Sequence, residues 1–310
     1  MEEFAYAGLV ALLWRVIAEH DRALLDGTCV ADPMMGATAD AAQKRALVQR
    51  IMDRQGPGLL LQVGQFLHLA DETPALSVLR NSATPRVLAE KFMRLERYHH
   101  ATHRVLIETG TDSWTCTRYS MAAEATDGEN CLIAGLLLGL IVDIGLKGCK
   151  LEIGGHVYLP GDLTSAVVPQ GTDTANFRIS WTALPVHSDH APSCASLASS
   201  GRVSDRLAAV IASDIGRSWK VADAAGILAL SIRSMQRHLK AEMRSYSSVL
   251  RQARMKAATL LLTETDTSLA EIGYCCGYAD QAHFQRDFLL TANVTPRRFR
   301  QINREADGLL

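Results

Sequence analysis

Apolar residues recur at helical spacing from the start of the chain. Leu9, Leu12, Leu13, Val16 and Ile17 share one stripe, which predicts a helix over residues 5–20. Gly36 to Asp40 reads as a turn. A second helix is predicted from about Ala41 to Arg54, ended by the breaker Gly56-Pro57-Gly58. Leu59 to Leu69 is largely apolar and fits either a helix or a buried strand. Thr84-Pro85 places an N-cap before a proline at the first helical position, so a helix should run from there to about Tyr98.

The period then changes. His103–Glu108 and Ser113–Ser120 alternate and contain Val, Ile, Trp and Tyr, with Gly110-Thr111-Asp112 between them, the pattern of a β-hairpin. Asp127-Gly128 precedes an apolar helix from about Glu129 to Leu146, and 150–153, 156–159 and 175–182 read as further strands. The N-terminal body is therefore expected to be α+β. Residues 185–204 are rich in Pro, Ser, Ala and His and read as a linker. The expected organisation is a body over 1–190, a linker over 191–203 and a helical domain over 204–304.

That helical third contains an internal repeat. Val221-Ala222-Asp223 aligns with Leu269-Ala270-Glu271. From Ala222 it is 13 residues to Met235 and 17 to Leu239; from Ala270 it is 14 to Phe284 and 18 to Phe288. Each unit reads helix, short turn, helix, with one extra residue in the second turn. Ser231 and Asp280 are placed to cap the later helices, and Ser268-x-x-Glu271 has the form of a capping box.

The later helices present two faces. At about 100° per residue, Ile232, Met235 and Leu239 form an inward stripe, while Arg233, Gln236, Arg237 and Lys240 lie on the other side. In the second unit Phe284 and Phe288 are the anchors. Ala282, Gln285 and Arg286 then hold the angular positions of Arg233, Gln236 and Arg237, with Gln281 at the edge. Arginine forks onto guanine O6/N7 and glutamine onto adenine N6/N7, so such a face suits a DNA major groove. A single face of this kind is commonly only a solvated surface. Two in register, each behind a helix and turn, point to double-stranded DNA. Between the units, residues 246–262 form one predicted helix of about 17 residues, or about 25 Å, which can set the two faces roughly one DNA turn apart. Ser231, Arg251, Arg254 and Arg297 are candidates for phosphate contact, and Lys256 accompanies them on the linking helix.

Charge sharpens this picture. The net charge of −1 hides a C-terminal stretch from Arg202 to Leu310 at +5 and a remainder at −6. A basic module on an acidic body suits a polyanionic partner.

Other chemistries find little support. The seven cysteines show no CxxC or zinc spacing and read as free structural thiols. His99 and His103 stand four apart, but a strand starting at His103 breaks helical geometry and no third ligand is evident; surface or packing roles are expected, and no metal. His187 and His190, around Asp189, belong to the linker. Gly135 and Gly139 lack the Lys-Ser/Thr of a phosphate loop and read as close helix packing. No GxSxG or acid/base set is present, so neither an enzyme nor a cofactor is expected. The longest strongly apolar run, Cys131 to Val142, is too short for a bilayer, and Phe4–Trp14 lacks a basic leader. The expected location is cytoplasmic, without a membrane partner.

With these residues in view, Ser218–Arg300 resembles the DNA-binding domain of AraC/XylS-type transcriptional regulators. The motifs are VADAAGILALSIRSMQRHLKAEM (221–243), RMKAATLLLTETDTSLAEIGYCCGYADQAHFQRDF (254–288) and VTPRRFR (294–300). The resemblance implies seven helices, with base contacts at the positions of Arg233, Gln236 and Arg237 and of Ala282, Gln285 and Arg286. Two residues depart from the pattern: Ala229 stands where the family often has Gly, and Asn293 where Gly is usual. Ala229 should cost about 1 kcal/mol if its turn needs a positive φ. More diffusely, ATPRVLAEKFMRLERYHH (83–100) before a hairpin resembles the longer α+β regulatory domain of some members, not the arabinose-binding cupin barrel.

The resemblance implies an effector-sensing, dimerising body and activation through RNA polymerase. The small-molecule effector is unidentified, and its expected place is an apolar pocket lined by the hairpin and the 129–146 helix. The alternative is a DNA-binding regulator whose body only dimerises or binds a protein partner.

Overall fold

The computed structural model describes residues 4–25, 38–70, 73–98, 103–120, 124–182 and 201–307. They fall into two units, one on either side of segment 183–200. Most of the predicted linker 191–203, together with His99, His100, His187 and His190, lies outside the described residues.

In the first unit, β1 (Phe4–Tyr6) leads into α1 (Ala7–His20) and pairs antiparallel with β2 (Thr38–Asp40). Helix α2 (Ala41–Gln55) follows. The ambiguous run from Leu59 is helical: α3 (Gly58–Gln62) continues as a 3-10 helix over Val63–Leu69. Helix α4 (Pro74–Arg80) was not anticipated, although Thr73-Pro74 repeats the Thr-Pro signal of Thr84-Pro85; Thr73 Oγ1 accepts the Leu76 N–H at 3.2 Å. Helix α5 spans Pro85–Tyr98, and Thr84 Oγ1 accepts the Val87 N–H at 3.3 Å as expected of an N-cap.

The hairpin is β3 (His103–Thr109) and β4 (Ser113–Ser120). With β5 (Lys150–Ile153), β6 (His156–Tyr158) and β7 (Asn176–Ser180) it forms an antiparallel sheet of order β3-β4-β7-β5-β6. One face is dry: Val105, Ile107, Trp114, Cys116, Phe177 and Ile179 are all buried. Burial pushes the thiols of Cys116 and Cys131 up to about 12, so both act as apolar filling rather than nucleophiles. The free edge of β3 is blocked by α5, whose Glu96 Oε2 accepts the Val105 N–H at 2.8 Å and whose Met93 Sδ accepts the Ile107 N–H at 3.4 Å. Glu96 also pairs with buried Arg118 of β4 at 3.2 Å.

Helix α6 (Asp127–Asp143) is apolar on every side and buried from Gly128 to Ile141. Thr126 and Glu129 close a capping box, so the helix begins two residues earlier than expected and also ends sooner. Gly135 and Gly139 permit its contact with the 58–69 segment. A Cβ on Gly139 would lie 2.2 Å from the Gly64 carbonyl oxygen, and one on Gly135 would lie 2.4 Å from that of Leu61. None of the described helices is long and apolar enough to cross a membrane.

The second unit is all helical. Its helices are α7 (Val203–Ser213), α8 (Val221–Ile227), α9 (Ile232–Ala241), α10 (Tyr246–Glu264), α11 (Leu269–Cys275), α12 (Gln281–Ala292) and α13 (Pro296–Asp307). Two hydrophobic clusters hold it. Leu207, Ile211, Trp219, Met235, Leu239 and Val249 belong to the first. Met255, Ala258, Leu262, Ile272, Phe284 and Phe288 belong to the second. The chain is thus an α+β body joined to an all-α domain with two helix-turn-helix units on a linking helix.

The glycine contact in the body makes a direct prediction. Gly139→Ala should destabilise the first unit by about 3 kcal/mol, because backbone must move to admit one methyl. Gly161→Ala, with nothing near its Cβ position, should change stability by less than about 0.5 kcal/mol. Urea unfolding of the two variants checks both.

Candidate nucleic-acid interface

Helix α9 is oriented by its anchors. Ser231 opens it, its hydroxyl accepting the Ser234 N–H at 3.0 Å, and Met235 and Leu239 are fully buried in the first cluster. Arg233, Gln236, Arg237 and Lys240 are consequently exposed, and none makes a side-chain hydrogen bond or ion pair with a described residue. Ile232 departs from the expected inward stripe: it is 44% exposed. It occupies the first helical position, ahead of the turn at which α9 meets the core, so the cluster starts at Met235.

Helix α12 repeats the design. Asp280 Oδ1 accepts the His283 N–H at 2.7 Å, and Phe284 and Phe288 are fully buried. Ala282, Gln285 and Arg286 are exposed and Gln281 is partly so; Gln281, Gln285 and Arg286 make no side-chain contact of this kind with a described residue. The two faces therefore carry donors and acceptors without partners among the described residues, the condition for reading base edges. They differ in chemistry: the first offers three cations, the second one cation and two amides.

The one-residue difference falls late in the turns, since α9 starts three residues after Ala229 and α12 four after Gly277. Ala229 and Gly277 occupy matching positions, and both adopt a left-handed backbone, at φ +55° and +77°. A Cβ on Gly277 would lie 2.5 Å from the Ile215 carbonyl oxygen, so glycine is required there twice over, for its φ and for its space. Ala229 bears the strain anticipated from its position. Asn293 ends α12 at φ +57°, a conformation that asparagine tolerates better than most residues.

The phosphate candidates divide. Arg297, in the first turn of α13, has no side-chain hydrogen bond or ion pair with a described residue. The Ser231 hydroxyl already accepts within its own cap. Arg251 and Arg254 are both engaged inside the domain. Arg251 Nε pairs with Asp287 Oδ1 of α12 at 2.9 Å, and the Arg254 guanidinium sits 5.1 Å from the centre of the Tyr278 ring. Burial, and then the Asp287 carboxylate, push the Tyr278 phenol up, so it stays protonated and donates to Asp287 Oδ2 at 3.1 Å. These side chains fix α12 against α10. Nothing in the sequence spacing singles out Asp287; its partner lies 36 residues away.

Ala229→Gly should stabilise the helical unit by about 0.5–1 kcal/mol: relief of left-handed strain, about 1–2 kcal/mol, exceeds the added entropy of the unfolded chain. Thermal unfolding of the chain followed by calorimetry reports it.

The helical domain is similar in sequence to known proteins. A family model described as a helix-turn-helix domain matches residues 224–302. The chain is 28% identical to the transcriptional activator PerA of Escherichia coli O127:H6 over 113 residues, which is 36% of this chain and 41% of that protein. It is 34% identical to the transcriptional regulator SirC of Salmonella typhimurium over 90 residues, 29% of this chain and 30% of that one. Among solved structures, a DNA-binding transcriptional dual regulator from Escherichia coli K-12 aligns with 26% identity and a TM-score of 0.34, covering 35% of this chain and 97% of the other. The match spans less than half the length of these two curated relatives. Residues 224–302 of this chain are thus similar to a helix-turn-helix domain that is shared with transcriptional regulators.

Proposed function

We propose that the chain is a sequence-specific transcriptional regulator, an activator, that reads two adjacent major-groove segments of a promoter with α9 and α12. The observation that carries this is the pair of equivalent faces, without side-chain partners among the described residues: Arg233, Gln236, Arg237 and Lys240 on one helix, Gln281, Ala282, Gln285 and Arg286 on the other. Arg237 and Arg233 are assigned to guanine, Gln236 and Gln285 to adenine, and Ala282 to a thymine methyl. Arg297 is assigned to phosphate. Activation would proceed through RNA polymerase at the promoter, as the activator names of several relatives suggest.

The body is assigned to effector sensing and homodimer formation. Among the described residues, a cleft of about 380 Å³ opens between α2 and the start of α6, lined by Gln49, Met52, Thr126 and Asp127. It lies away from the hairpin, where the pocket was expected, and it is more polar than an apolar effector would require. An effector acts only to the extent that it binds one arrangement of the regulator better than another. The second reading, a body that only dimerises or binds a protein partner, is separated from the first by whether any metabolite raises the thermal stability of the chain.

Two substitutions test the DNA reading on duplexes selected by the wild-type chain from a random library. Arg237→Ala should cost about 1–3 kcal/mol on the selected site and relax preference at one base pair. Gln285→Ala should change preference in the other half of the site. If Arg237→Ala weakens binding equally on every sequence, Arg237 touches phosphate; an unchanged profile for Gln285→Ala removes Gln285 from the reading set.

A further inference from the structure

Helix α9 is tied to the entrance of its own domain by a carboxylate. Glu242 is the C-cap of α9. Its Oε1 accepts the Val203 N–H at 2.8 Å and its Oε2 accepts the Ser204 N–H at 2.9 Å. Those amides open α7, where intrahelical acceptors are absent and the helix dipole favours negative charge. Burial works against the charge on Glu242, but the bonds from Ser204 and Val203 outweigh it and hold the carboxyl below its usual range. The clamp is rigid at both ends. Met243 turns left-handed at φ +56°, and Arg244 N–H returns to the Leu239 carbonyl at 2.8 Å, so Glu242 is fixed to α9. Ser204 is buried, and Arg206 of the same turn donates to the Leu228 carbonyl in the helix-turn-helix turn at 3.4 Å. The first turn of α7 is thus bonded both to the turn before the recognition helix and to that helix's far end.

We propose that Glu242 is a positioning residue that couples the start of α7 to the seating of α9 on DNA, so that a force on the chain entering α7 alters base reading by the first unit. Hydrophobic packing between α7 and α9 supports fold but is non-directional; two charge-assisted bonds at one helix end fix an angle. Binding of DNA to α9 must then tighten the same bonds, because coupling is reciprocal. This rests on the proposed reading that α9 contacts DNA.

The test is hydrogen–deuterium exchange of the full chain with and without a duplex selected by the wild type. Two variants are used. Glu242→Ala removes the acceptor. Val203→Pro removes one donor where proline is tolerated, at the first helical position, after Arg202 at φ −62° and ψ 145°, a conformation that a residue before proline favours. In the wild type, DNA should slow exchange at Ser204 at least fivefold, with little change at Val210 in mid-helix. In Glu242→Ala that response should vanish, and in Val203→Pro, which keeps the Ser204 bond, it should be weaker than in the wild type; in both, affinity should fall, by about five- to tenfold in Glu242→Ala, with the salt dependence unchanged, since no phosphate contact is lost. Merely structural damage would lower the melting temperature yet leave the response of α7 to DNA in place. The inference is overturned if Ser204 exchange ignores DNA in the wild type, or still responds in Glu242→Ala. A wild type that binds its duplexes without that response overturns this inference alone. A wild type that selects no duplex overturns the DNA reading and this inference together.

Discussion

Helix α10 belongs to two hydrophobic clusters at once. Val249 is buried in the first, with Leu250 and Ala253 packed against it; Met255, Ala258 and Leu262 are buried in the second. The change of allegiance takes place within two residues, between Ala253 and Met255. Each helix-turn-helix unit is too small to bury its own core, and each completes it on α10. The helix has 19 residues, so about 28 Å of rigid rod carries both recognition helices. The separation of the two exposed faces follows mainly from that one element.

Side chains along α10 refine what its apolar face begins. Arg251 on Asp287 and Arg254 on Tyr278 fasten the second unit. A half-exposed pair such as Arg251–Asp287 contributes at most about 1 kcal/mol, so its consequence is the orientation of α12 more than stability. The first unit is fastened differently, by the Glu242 carboxylate on the start of α7. Each recognition helix therefore has an electrostatic tie to a neighbouring helix, and each leaves its cations and amides for an outside partner. On the proposed reading, the cation-rich face of α9 supplies more of the attraction to DNA and the amide-rich face of α12 more of the discrimination.

Much of this was legible in the residues. Anchor spacing in the two repeats located the buried Met235, Leu239, Phe284 and Phe288, and with them the outward faces. Ser231, Asp280 and Thr84 cap as their positions suggested. The α+β nature of the body followed from the switch of period at His103. What was missed has physical causes. Ile232 fits a helical stripe, but a helix's first turn often precedes its core contact. Arg251 and Arg254 look like any solvated arginine until Asp287 and Tyr278 are brought near by tertiary folding. The pairing of β1 with β2 involves three residues on each side, too few for a periodic signal. Leu59–Leu69 is buried against α6, and burial on all sides erases the periodicity that separates helix from strand. The Glu242 clamp joins residues 38 and 39 apart and has no local signature.

The central claim is that a single chain reads two major-groove segments at a separation set by α10. Hydroxyl-radical footprinting on a selected duplex, at protein concentrations where one chain binds, measures this directly. The account predicts two protected patches on one side of the duplex, centred about 10 base pairs apart, and loss of one patch when about 5 base pairs are inserted between them. A single continuous patch, or two patches that both persist after the insertion, would contradict it.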